Sequence, residues 1–88
     1  MPLFHVYILW SETFKKSYVG FTSNLDQRLL SHNHLATKGW TIRFRPWQLV
    51  DSFSFADKKE AMLKEKYFKT GAGRDEIQRI LRSKGLLP

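Results

Sequence analysis

The sequence predicts an α+β fold in which a small three-stranded antiparallel sheet is flanked by helices, and three observations carry that prediction. Strand-like alternation opens the chain and returns after Pro46. Apolar residues at helical spacing mark three other segments. The resulting order, β-β-α-β-α-α, lacks the regular strand–helix alternation of a parallel, doubly wound sheet. A chain of 88 residues has room for one domain, expected to span 1–88.

Phe4, Val6, Ile8 and Trp10 alternate with His5, Tyr7 and Leu9, so residues 4–10 read as a strand with two useful faces. Residues 17–21 read as its antiparallel partner, joined to it through the short polar loop 11–16. Thr22-Ser23-Asn24 supplies capping oxygens, and the stripe of Leu25, Leu29 and Leu30 then marks a helix to about Asn33. From Leu35 to Trp47 the chain is expected to be irregular and basic. Here Lys38, Arg43 and Arg45 interleave with Trp40, Phe44 and Trp47, and no acid occurs between Asp26 and Asp51. Residues 47–55 resemble a third strand, with Pro46 at its entry, where a missing N–H does little harm.

Asp57 opens a second helix, with Glu60 at the capping-box position and Ala61, Met62, Leu63, Tyr67 and Phe68 following. Gly71 and Gly73 are expected to end it. The third helix is expected over 74–84, with Asp75 and Glu76 in its first turn, Ile77, Ile80 and Leu81 inward, and Gly85 as its stop.

Fifteen Lys and Arg against eight Asp and Glu give a formal charge of +7, whose simplest physical use is attraction to a polyanion, with nucleic acid the leading candidate. The absence of cysteine excludes a disulfide framework and a cysteine-ligated zinc site. No apolar run approaches the ~18–20 residues that a membrane helix needs, and the opening residues lack the basic start and cleavage site of a signal peptide. These features predict a soluble, cytoplasmic protein with no membrane partner.

Several residues stand out for their chemistry. Glu65 falls at helical spacing among Ala61, Met62 and Phe68, on what should be the apolar side. A carboxylate there is costly unless it meets a cation, which could be a Lys or Arg or a hard metal such as Mg²⁺. Arg28 and His32 lie four apart on the first helix and point the same way, as a phosphate-donor pair or as a solvated face. Tyr7 shares a strand face with His5 and Leu9. Tyr18 begins the second strand and is followed by Val19 and Gly20, a glycine of the kind that marks close approach of a backbone or ligand.

In order, Val6-Tyr7, Tyr18-Val19-Gly20, Arg28, His32 and Glu65 resemble the motifs of the GIY-YIG nuclease superfamily, as do the stretches Tyr18 to Leu25, Arg45-Pro46-Trp47 and Lys66 to Gly71. The resemblance runs from about Phe4 to Arg82 and is strongest to small single-domain bacterial members. It is similar also to the N-terminal catalytic domain of the excision-repair nuclease subunit. It implies a metal-dependent endonuclease acting on DNA, with Tyr7, Tyr18, Arg28, His32 and Glu65 around one Mg²⁺ or Mn²⁺ and Glu65 its sole protein ligand. No small-molecule cofactor is implied. A tyrosinate would accept the proton of the attacking water, with Tyr7 the favoured base. That role needs its pKa, ordinarily near ~10, to be lowered by the basic surroundings.

The sequence departs from the family pattern at two places. His5 stands where the first motif opens with glycine, and no Asn occurs beyond Asn33, although many members carry one well after the metal glutamate. Lys38, Trp40, Arg43 and Arg45 are the candidate nucleic-acid contacts, while Trp40 and Trp47 have an alternative use as core plugs. With no separate recognition module, cutting is expected to be guided by DNA structure, as in repair or recombination. Target choice would then come from DNA shape, a protein partner or a homodimer. The competing readings are a non-catalytic nucleic-acid-binding module on the same fold and a protein-interaction domain whose basic surface meets an acidic partner.

Overall fold

A computed structural model describes residues 3–88. Strands β1 (Phe4–Ser11) and β2 (Lys16–Thr22) form the expected hairpin, and β3 (Gln48–Phe55) pairs with the other side of β1, so the antiparallel sheet runs β2-β1-β3 with β2 at an open edge. Helices α1 (Leu25–Leu30), α2 (Lys58–Phe68) and α3 (Gly71–Ser83) complete the predicted order. Among the described residues, no helix is long and apolar enough to cross a membrane.

The alternation in β1 divides the protein into two cores, because successive side chains of a strand leave on opposite faces. Val6, Ile8 and Trp10 meet Ala61 and Phe68 of α2 and Ile77 and Leu81 of α3. Tyr7 and Leu9 point the other way, against Trp47, Tyr18, Leu25, Leu29 and Phe44. A bulge between Ile8 and Leu9 shifts the pairing with β3 by one residue and lets Val50 join the first core.

Three expectations about the connections are corrected. The first helix does not stop at Asn33: α1 passes into a π-helical turn over Ser31–Leu35, closed by the Ala36 N–H donating to the Ser31 carbonyl at 2.9 Å. The segment 35–47 is not irregular throughout, since a 3₁₀ helix occupies Trp40–Phe44, tied to its surroundings by hydrogen bonds between Thr41 and the His32 and Trp47 side chains. Gly71 and Gly73 do not terminate α2. That helix ends at Phe68 with Lys69 as its C-cap, and Thr70 caps α3 by accepting from the Gly73 N–H at 3.1 Å. Glycine is required at 73 for space rather than for termination. A Cβ there would sit 2.0 Å from the Tyr67 carbonyl oxygen, so its absence lets α3 start hard against the end of α2.

Candidate active site

Tyr7 and Tyr18 can share a face only if the hairpin register pairs positions whose numbers sum to an odd value, and the register satisfies this: Tyr7 pairs with Gly20, and Leu9 with Tyr18. The Tyr7 ring then crosses the edge strand directly over Gly20. A Cβ on Gly20 would lie 2.2 Å from the phenol oxygen and 2.3 Å from Cζ, so the glycine anticipated as a point of close approach accommodates the motif's own tyrosine. His5, on the same face, is held the other way by a 2.9 Å hydrogen bond between Nδ1 and Ser54 Oγ of β3.

Arg28 and His32 converge on the Tyr7 hydroxyl, as their spacing along one helix face predicts. Arg28 Nε donates to Tyr7 Oη at 3.3 Å, and the same hydroxyl is hydrogen-bonded to His32 Nε2 at 2.8 Å. The other ring nitrogen, Nδ1, is hydrogen-bonded to Thr41 Oγ1 at 3.0 Å. Thr41 is a buried member of this chain that the sequence does not announce. It lies nine residues beyond His32 in a different element, and no local pattern ties the two together.

The charge states follow from burial. His32 is 3% exposed, and its pKa is brought down to about 4 by that burial and then by the positive charges of Arg28 and Arg45, so the ring is neutral at pH 7. Tyr7 is 1% exposed, and burial pushes its pKa above the ordinary tyrosine value despite the lowering effect of the Arg28 hydrogen bond. The expected downward shift is therefore corrected. A net positive charge spread over the surface acts weakly on a hydroxyl sealed beneath it, whereas desolvation acts in full. The Arg28 guanidinium, charged at any physiological pH, has its pKa raised further, chiefly by its bond to Tyr7 and also by Tyr18.

Tyr18 is only half-buried. Its ring stands edge-on to His32 at 5.0 Å between centroids and stacks with Trp40 at 6.3 Å. Together with Arg28, His32, Lys38 and Trp40 it lines a cleft of about 180 Å³ that opens to solvent. Glu65 approaches from α2, near enough for its charge to oppose ionisation of Tyr7. Met62 is not part of the core stripe, being 51% exposed. Helix α2 is instead rotated to bury Ala61 and Phe68 and to lay Lys64 over the rings of Phe53, Tyr67 and Phe68, which leaves Glu65 at the boundary with its side chain 27% exposed. Its carboxylate lies 3.6 Å from Lys69 Nζ, an exposed pair of small energetic weight.

Among the described residues no three His, Asp or Glu side chains gather into a ready metal cage. One partly exposed carboxylate lining an open groove nevertheless fits a Mg²⁺-type ion, which keeps most of its waters and takes only one or two protein carboxylates. Of the residues marked for nucleic acid, Lys38, Trp40 and Arg43 are exposed. Arg45 is used differently: its guanidinium donates to the carbonyls of His32 at 2.6 Å, Ala36 at 2.8 Å and Ser31 at 3.2 Å, closing the end of the π turn. It is thus corrected from a surface contact to a brace behind His32. Trp47 is core, with its indole N–H on the Thr41 carbonyl and its backbone clasped by Asn33.

A small antiparallel sheet whose edge gathers two tyrosines, an arginine and a histidine on one side and a glutamate on the other defines a GIY-YIG domain, and the chain belongs to that nuclease family: the family model for the GIY-YIG catalytic domain matches residues 3–77. Among individual proteins it is similar to a UPF0213 protein of Pediococcus acidilactici, with 31% identity over 86 residues covering 96% of this chain and 86% of that protein. A UPF0213 protein of Bacillus pumilus is 42% identical over 53 residues, which span 60% of this chain and 54% of the relative's length. The fold is shared with the solved UPF0213 protein of Bacillus halodurans, at a TM-score of 0.54 and 26% identity, over 89% of this chain and 84% of the other.

Proposed function

We propose that the chain is a divalent-metal-dependent endonuclease that hydrolyses DNA phosphodiester bonds. The observation that supports this most strongly is the convergence of Arg28 and Tyr18 on one open cleft, with His32 and Tyr7 locked behind them and Glu65 across the sheet edge. Hydrolysis needs a positioned water, an acceptor for its proton, positive charge on the phosphate and help for the departing oxygen.

In this reading Tyr18, the tyrosine that faces the cleft, is the group placed to take the proton of the attacking water. Oxygen bonds to phosphorus as the bond to the leaving oxygen breaks. Arg28 places a permanent positive charge on the non-bridging oxygens. Tyr7 is a positioning residue: sealed from solvent and held in its neutral form, it fixes the Arg28 guanidinium from one side and is fixed by His32 from the other. Neutral His32 adds no competing charge, and Thr41 and Arg45 hold its orientation. Glu65 would hold the Mg²⁺ or Mn²⁺ ion, which when bound supplies Lewis-acid stabilisation of the leaving oxygen.

The test is cleavage of flapped, branched and plain duplex DNA with added Mg²⁺ or Mn²⁺. Glu65→Ala should lower cleavage by on the order of a hundredfold or more while leaving DNA binding largely intact. Equal nicking by wild type and Glu65→Ala sinks the enzyme reading. Salt-sensitive binding with no cleavage under any metal would make the chain a nucleic-acid-binding module instead.

A further inference from the structure

The most exposed large apolar side chain of the described residues, Leu63 at 59%, lies on α2 beside Met62 at 51%. Helical spacing places them on the same outer face as Lys58, Lys59, Lys66 and Lys69, and these side chains line a broad groove of about 860 Å³ in which four lysines outnumber two carboxylates, Asp57 and Glu65. Lys69 also belongs to a second cleft of about 320 Å³, which follows the β2 edge past Arg74 to Tyr18 and Trp40. Those two rings in turn line the cleft that holds Arg28 and His32. The apolar pair therefore stands at the end of one basic track that passes through the candidate active site.

We propose that this face of α2 is a second nucleic-acid subsite, in which the lysines hold phosphates while Met62 and Leu63 pack against bases that have left their stack. The identity of the ligand rests on the nuclease reading; the subsite itself rests on charge complementarity and on continuity with the active-site cleft. A regular duplex presents phosphates but hides its base faces, so it could use the lysines and not the apolar pair. A strand that separates from its duplex near the cleaved bond can use both. The inferred substrate is thus DNA with a single-strand/duplex junction, with unstacked bases reaching Trp40 on one side of the β2 edge and Met62 and Leu63 on the other.

The test compares the affinity of a flap oligonucleotide with that of a blunt duplex of equal length, by fluorescence anisotropy in EDTA so that binding is read without cleavage. For Met62→Ala/Leu63→Ala the flap-to-duplex affinity ratio should fall about tenfold, the scale of one lost base contact. Both sites are more than half exposed and alanine favours helix, so the fold is retained. Lys66→Gln should instead weaken both ligands and lower the salt slope of each by about one.

An unchanged ratio overturns the subsite. So does a double variant that keeps the wild-type ratio but loses co-sedimentation with phosphatidylserine vesicles, or one that dissociates a wild-type dimer in analytical ultracentrifugation; either makes the apolar pair a lipid or self-association surface. The two proposals fail separately. A chain that cuts DNA with an unchanged ratio keeps the nuclease reading and loses this one. A chain that shows the ratio change but never cuts keeps the subsite and loses the nuclease.

Discussion

The two faces of the sheet are built on different physics. Toward α2 and α3 the contacts are hydrocarbon and aromatic: Val6, Ile8 and Trp10 against Ala61, Phe68, Ile77 and Leu81. Toward α1 and the 3₁₀ helix the buried contacts include a chain of directed bonds, from Arg28 to Tyr7 to His32 to Thr41, with Arg45 and Asn33 tying the backbone behind it. The first face is non-directional and holds most of the buried hydrophobic residues. The second holds side chains at fixed angles, and its buried polar atoms all find partners among the described residues. Tyr7, Tyr18, Arg28 and His32 of the candidate site lie on the directed face, where side chains are held at fixed angles, and Glu65, the proposed metal ligand, comes from α2 on the other side.

This contrast can be broken most forcefully at Phe68, which is 1% exposed. Phe68→Ala should cost about 3–5 kcal/mol in urea denaturation, because it removes a large ring and leaves a cavity. The folded fraction should keep the Tyr7–His32 hydrogen bond, read from the His32 side-chain resonances. Loss of that bond alongside stability would show that the two faces are not separable.

Gly20→Ala probes the other face. The added methyl meets the Tyr7 phenol at 2.2 Å, and the overpacking should cost about 1–3 kcal/mol. Here the His32 resonances should shift, because the ring is displaced from the network. An unshifted spectrum would mean that Tyr7 is not held against Gly20 as described.

The smallest expected effect is in pH dependence. His32 has a folded-state pKa near 4 against an ordinary 6.5, so on acidification the unfolded chain takes up this proton first. Stability must therefore fall as pH drops below about 6.5 and level off for this group near 4, a loss of about 1–2 kcal/mol between pH 7 and pH 5. The sign is that of a base buried in its neutral form. The slope of wild type minus that of His32→Gln isolates the contribution, and identical slopes would place His32 in contact with solvent.

Much of the fold was legible along the chain because it depends on periodicity. The alternation of residues 4–10 sorted its side chains correctly onto two faces, and the four-residue spacing of Arg28 and His32 brought both to Tyr7. What was misread depended on distance. Gly73 looked like a breaker because its crowding against Tyr67 and Phe68 exists only after α3 has docked. Arg45 looked like a free surface cation because the three carbonyls that bind it come from a segment that precedes it by nine residues or more. Met62 looked like core because spacing alone does not say how far a helix is rotated about its axis, which here is set by Ala61, Lys64 and Phe68 against the sheet.

The sequence by itself determined the element order, the two-faced first strand, the basic character and the ordered set of candidate site residues, since each of these is written in local pattern and composition. The tertiary structure decided which tyrosine is open and which is sealed. It also decided that desolvation outweighs the positive surroundings at Tyr7, that His32 is neutral, and that Met62 and Leu63 stand outward in a ring of lysines. Burial and mutual distance are properties of packed elements taken together, and pKa values follow from both, so no reading of one segment at a time could supply them.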